Sequence, residues 1–262
     1  LPATLALLGR IPTRAEFYAF EAERGGDKRA TLVRRLLDHP DRAAHLGRTW
    51  ELILMGPPTR ERLADRDALR RYLQRQFAAD VPWDAIVRDI VTAEGVSSLG
   101  GDRRELRRAP NEAARAEEEQ RAGVHGATNL PLRYARQPAD LAGVTARAFL
   151  GMQVQCAQCH DHKTESWKQQ DFWAFTSALA HLSAERQDGG QGELFVFDVR
   201  DADAPARPAR RAAEGHDLSR PRTLDGLDLA GEPDVRAALA GWMTARENRA
   251  FARAFVNRAW SE

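Results

Sequence analysis

The run PADLAGVTARAFLGMQVQCAQCHDHK, residues 138–163, starts with helical periodicity and ends on the one pattern in the chain where residue type and spacing together imply chemistry. Leu141, Val144, Ala148, Phe149 and Met152 recur at helical spacing, and Ala142, Ala146 and Ala148 permit close approach of neighbouring helices. The pattern predicts a helix from about Pro138 that runs directly into Cys156. Beyond Lys163, Ser166 and Gln169 have the spacing of a capping box, and Phe172, Trp173, Phe175, Leu179 and Leu182 predict an aromatic-rich helix. Two helices flanking one site set the expected fold class: mainly α, a multi-helix orthogonal bundle around a Cys-x-x-Cys-His site.

Cys156, Cys159 and His160 have the spacing of a c-type haem attachment site, in which two thiols bond to the porphyrin and the following imidazole ligates the iron. The motif uses both cysteines of the chain and one of its seven histidines; His162 adds another imidazole. The leading expectation is therefore one haem c on Cys156 and Cys159 with His160 as proximal iron ligand. The alternative is a non-haem zinc, iron or copper ion held by Cys156, Cys159, His160 and His162, since mixed sulfur and imidazole donors suit those metals. A thioredoxin-like dithiol would expect a βαβ context, which helical flanks do not supply. For the far side of a haem iron the candidates are Met152, Met55, Met243, His181, His45 and His125, with His125 in front because it lies in a loop. An open far side would admit oxidoreductase chemistry; a ligated one suits an electron carrier.

Upstream, the sequence reads as successive amphipathic helices. Thr13 and Glu16 make a capping box before Phe17 and Phe20. Asp27 can cap a helix carrying Leu32, Val33, Leu36 and Leu37, which His39-Pro40 ends. Asp41 starts a third, with Leu46, Trp50, Ile53 and Leu54 inward, and a fourth covers Asp67 to Ala79. Trp83, Ile86, Val87, Ile90 and Val91 form the strongest stripe, with Gly95 as its expected C-terminal cap. Residues 97–126 lose the apolar signal and read as an exposed charged insertion. From 184 to 232 Gly, Pro, Asp and Arg dominate, so a linker or small β excursion is expected, with 194–199 as its strand. Pro233 and Asn248 then open two helices, and the pattern is unfinished at Glu262, as though a C-terminal helical domain begins at 233 and continues.

The 262 residues are 43% apolar, enough for a core without disulfides, and 39 basic against 38 acidic side chains leave a net charge of +1. That balance gives no global field for nucleic acid. No run approaches the roughly 18 apolar residues of a membrane-spanning helix. If haem is attached, the attachment chemistry places the protein in the periplasm or otherwise outside the cytoplasm, with a redox protein as partner.

Phe149-Leu150-Gly151 leading into the motif, followed by Trp167-Lys168-Gln169-Gln170-Asp171-Phe172-Trp173, resembles the planctomycete cytochrome c-type domain family. Leu7-Leu8-Gly9-Arg10-Ile11-Pro12-Thr13, Leu36-Leu37-Asp38-His39-Pro40 and Pro82-Trp83-Asp84 resemble other segments of it, so the likeness spans most of residues 1–183. Asn248 to Trp260 resembles the start of the companion domain that usually follows. The resemblance implies covalent haem, an extracytoplasmic location and electron transfer or an attached oxidation. Thr164-Glu165-Ser166 departs from the Phe-Asp-Pro-like segment usual after the motif.

Overall fold

The structure, a computed structural model, describes residues 2–57, 63–102, 112–187, 192, 194–202 and 218–261. It is mainly α-helical. In chain order the elements are α1 (Pro2–Leu8), α2 (Arg14–Ala22), α3 (Lys28–Leu37), α4 (Pro40–Met55), α5 (Arg66–Ala78), α6 (Trp83–Val91) and the short strand β1 (Gly95–Val96). Then come α7 (Glu112–Arg121), a 3₁₀ turn at Gly126–Thr128, α8 (Asn129–Tyr134) and α9 (Pro138–Thr145). A π-helical turn at Ala146–Leu150 and a second 3₁₀ turn at Val154–Gln158 lead to α10 (Gln169–Ser177), β2 (Leu182–Arg186), β3 (Phe197–Asp201), α11 (Val235–Met243) and α12 (Arg249–Ser261). Among the described residues no helix is long and apolar enough to cross a membrane.

Local chemistry sets the helix starts. The Thr13 and Glu16 capping box forms at α2, the His39 Nδ1 accepts the Asp41 amide at α4, and Asp65 accepts the amides of Asp67 and Ala68 at α5. Asn129 Oδ1 in turn accepts the Asp65 amide at 2.7 Å, which ties the start of α5 to the start of α8. Burial then follows the stripes. Ile86, Val87, Ile90 and Val91 of α6 are all buried, and Trp83 stands where several helices meet. Its ring lies 4.0 Å from Trp50 of α4, 5.3 Å from Phe255 of α12 and 6.1 Å from both Phe77 of α5 and Phe149 of the π turn, centroid to centroid.

Several expectations change. Gly95 does not cap α6, which closes at Thr92; with φ +104° it opens β1 instead. β1 joins a three-stranded antiparallel sheet in the order β1-β3-β2, pairing Gly95 with Val199 and Leu182 with Asp201. Leu182 therefore belongs to β2 and not to the aromatic helix, and the strand expected at 194–199 sits at 197–201, where pairing to both neighbours sets its register. The excursion after residue 184 thus supplies β3, the central strand of that sheet. The acidic and basic run at 103–108, and residues 203–217 of the 184–232 stretch predicted as linker or β excursion, lie outside the described residues.

The segment read as an exposed insertion is anchored where it is described. Glu119 of α7 is fully buried and meets Arg71 of α5 at 3.0 Å, and Arg115 is buried beside it. Buried partners make Arg115 and Glu119 structural, while Glu117 and Glu118 stay exposed. The C-terminal helices, expected as the start of a separate domain, share the core: Leu239, Met243 and Phe251 lie in the same apolar cluster as Trp50, Leu73 and Phe149. Arg236 of α11, 2% exposed, donates to the carbonyls of Val91 and Ala93 and pairs with Glu94 and Asp201.

Candidate functional site

The helix expected to run straight into Cys156 stops short of it. After Thr145 it widens to a π turn, which Gly151 ends in the left-handed conformation at φ +67°, and the Met152 amide returns to the Ala146 carbonyl at 3.1 Å. Only glycine takes that conformation without a Cβ penalty, so the cap depends on Gly151. The chain re-enters as a 3₁₀ turn over Val154–Gln158. With three residues per turn, side chains at i and i+3 eclipse. Val154 and Ala157 accordingly share the inner face and are buried, while Cys156 and Cys159, also three apart, are exposed. Both thiols are free.

Three side chains of α10 and its lead-in hold this turn in place. The Gln158 carbonyl, between the two cysteines, accepts Trp173 Nε1–H at 3.1 Å and Gln169 Nε2–H at 3.0 Å. The Asp161 carboxylate accepts the Gln169 amide at 2.9 Å and Lys168 Nζ at 3.3 Å. Those contacts hold its pKa below the usual carboxylate range, the Gln169 amide first and Lys168 second. The start of α10 is capped by Asp171, which accepts the Lys168 amide at 2.9 Å, so Lys168 and not Ser166 precedes the helix.

His160 is exposed, and its Nδ1 lies 2.7 Å from the Asp161 carbonyl. A carbonyl can only accept, so Nδ1 carries the proton and the lone pair of the neutral ring is on Nε2. His162 is arranged the other way. Its Nδ1 accepts the amides of Glu165 at 3.0 Å and Thr164 at 3.3 Å, which places the proton of the neutral ring on Nε2. The Thr164-Glu165-Ser166 segment is thus the turn that supplies those amides. The His162 amide donates to the Trp167 carbonyl at 2.8 Å.

A family model described as PSCyt2, a protein of unknown function (DUF1549), matches residues 3–184. The chain belongs to this family. No curated protein and no solved structure matches it. The PSCyt2 match ends inside β2, although the fold continues: β3, α11 and α12 pack on the matched part.

Within the PSCyt2 region Cys156, Cys159 and His160 are all exposed on and just after the Val154–Gln158 turn, with Met152 just before it and His162 just after, while His125, Met55, Met243 and His181 belong to other parts of the fold. His125 follows α7 and has both ring nitrogens engaged: Nδ1 with the Glu94 carbonyl at 2.9 Å, Nε2 with Asp89 at 3.2 Å. Ligation through either nitrogen would break one of these bonds. The Asp89 bond, opposed by burial and helped by the Glu94 carbonyl, raises the His125 pKa. Met55 and Met243 are fully buried in the core, and His181 Nδ1 faces the Ala202 carbonyl at 3.3 Å. Among the described residues no three His, Cys, Asp or Glu side chains are grouped so as to hold a metal ion. The residues that sequence reading missed are those acting through the backbone of the motif, Gln169 and Trp173; a tryptophan in an aromatic stripe signals only core.

Proposed function

We infer that this domain carries one haem c, joined covalently to Cys156 and Cys159 with His160 Nε2 as the proximal iron ligand, and that it moves electrons outside the cytoplasm. The observation that carries the reading is the pair formed by the outward thiols and an adjacent imidazole whose Nδ1–H is already bound to the Asp161 carbonyl. A ring fixed through Nδ1 presents Nε2 as the donor, the arrangement by which a second-shell carbonyl orients a ligating histidine. The donor set fits the group. When bound it would supply a one-electron couple at the surface of the domain.

The chain's own residues do the positioning. Val154 and Ala157 anchor the turn inward, Trp173 and Gln169 hold its carbonyl, and Asp161 holds the imidazole. The exposed setting suits electron exchange with a partner redox protein, and covalent attachment implies a periplasmic location.

The test is expression in a host with haem-attachment machinery, followed by acid-acetone extraction and a pyridine haemochrome spectrum. One covalent haem per chain is expected, reduced to single attachment by Cys159→Ala. Protein that folds normally yet retains no haem after extraction would overturn the reading.

A further inference from the structure

The first three helices carry a surface that the rest of the molecule does not use. Among the described residues α2 buries no side chain, although a nine-residue helix has little stability without tertiary packing. Phe17 and Phe20 of α2 face Leu32, Val33 and Leu36 of α3, with Pro12 at one end, across a groove of about 500 Å³. Outside it, Ile11 next to Pro12 is 71% exposed and Tyr18 next to Phe17 61% exposed. Large exposed apolar surface marks interaction sites.

The rim adds a sign. Arg29 and Arg35 line the groove, and neither side chain takes part in a hydrogen bond or ion pair among the described residues. The lining carboxylate, Glu16, is committed to Arg10, which reaches both of its oxygens at 2.9 Å, and to the Thr13 amide. The groove therefore presents an apolar floor between uncompensated cations.

We propose that this groove docks an amphipathic helix of a partner protein, with apolar anchors at i, i+3, i+4 and i+7 flanked by acidic residues. The charge of the rim requires the acid, and the apolar patch outside the groove requires more surface than one small amphiphile covers. A two-fold pairing of this chain with itself would set the same arginines against each other, which disfavours a second copy. This site is separate from the Cys156 turn and does not depend on what that turn binds.

The experiment is fluorescence anisotropy with three labelled 16-residue peptides sharing one Leu and Phe pattern and carrying Glu, Ser or Lys at the flanks. Binding in the range of about 10 μM is expected for the Glu peptide, with the Lys peptide about tenfold weaker or worse. Arg35→Glu should reverse that preference, and Val33→Asp should remove binding of all three; circular dichroism and melting curves confirm that both variants fold. Equal binding of the three peptides, or none by any, would overturn the proposal. So would sedimentation showing a dimer that Val33→Asp dissolves, or decanoate binding that Val33→Asp abolishes while no peptide binds.

Discussion

Trp173 donates its indole N–H to the carbonyl of Gln158, 3.1 Å away, so the side chain of a buried helix fixes the backbone of the turn between the two cysteines. Gln169 shares that acceptor at 3.0 Å. The two donors reach it from positions four apart on α10, one face of a helix, and so the turn takes its orientation from α10. The geometry of the thiols is consequently inherited from packing remote from them.

Trp173→Phe keeps the ring in the core and removes the donor. A loss of about 1–2 kcal/mol is expected, the worth of one partly buried hydrogen bond. Gln169→Ala alone should cost less, since Trp173 still satisfies the acceptor, and the double variant should cost more than the sum. Urea unfolding of the four proteins closes the cycle.

The His125–Asp89 pair predicts a pH dependence. His125 has a raised pKa in the folded protein because it donates to Asp89, with the Glu94 carbonyl adding to the shift against burial. Tyr72 also donates to Asp89, and with His125 it holds that carboxyl low despite burial. A raised folded pKa means the stabilisation is complete below the ordinary histidine value of about 6.5 and is lost as pH rises through the folded value. Arg75, near the pair, opposes the charge on His125. Melting temperatures should therefore fall as pH is raised from 6 through 8, and His125→Gln should flatten that slope. Haem bands in loaded protein should be unchanged by the same variant; a shifted band would make His125 an iron ligand after all.

Glu119 is the counter-charge for Arg71 at 3.0 Å and lies 3.8 Å from both Arg75 and Arg115, with its side chain 1% exposed. Removing one member of a buried ion pair leaves the others uncompensated, so Glu119→Gln should cost about 3–5 kcal/mol. Glu117→Gln, two residues away on the exposed side of α7, should change stability by no more than about 0.5 kcal/mol. Guanidinium midpoints compare the two directly, and equal effects would return α7 to the status of a solvated insertion.

Arg236 joins α11 to the end of α6 and to β3. Arg236→Met removes donors from the carbonyls of Val91 and Ala93 and should cost about 2–3 kcal/mol. Lysine should not rescue it, because one ammonium cannot reproduce a planar fork that meets four acceptors. Hydrogen exchange would show the sheet and α11 losing protection together, which links the segment after residue 184 to the core before it.

Much of this was written locally. The capping box of Thr13 and Glu16, the stripe from Trp83 to Val91 and the helices before and after the motif follow from spacing of three and four residues, since short-range hydrogen bonds and one-sided burial act within a few turns. The spacing of Cys156, Cys159 and His160 likewise defined the candidate site by itself. The sequence did not reveal the break at Gly151, because a π turn and a left-handed cap look like continued helix until the chain must re-aim.

Long-range pairing decided the rest. Gly95 became a strand because Val199, more than a hundred positions later, supplies its ladder partner, and Glu119 is buried because Arg71 waits on another helix. His160 shows the division most clearly. Its place beside two thiols is fixed by the sequence alone, while the outward face of those thiols depends on which side of a 3₁₀ turn the core takes up, and that choice belongs to Val154, Ala157 and the indole of Trp173. Burial is a property of the assembled molecule, and no local pattern carries it.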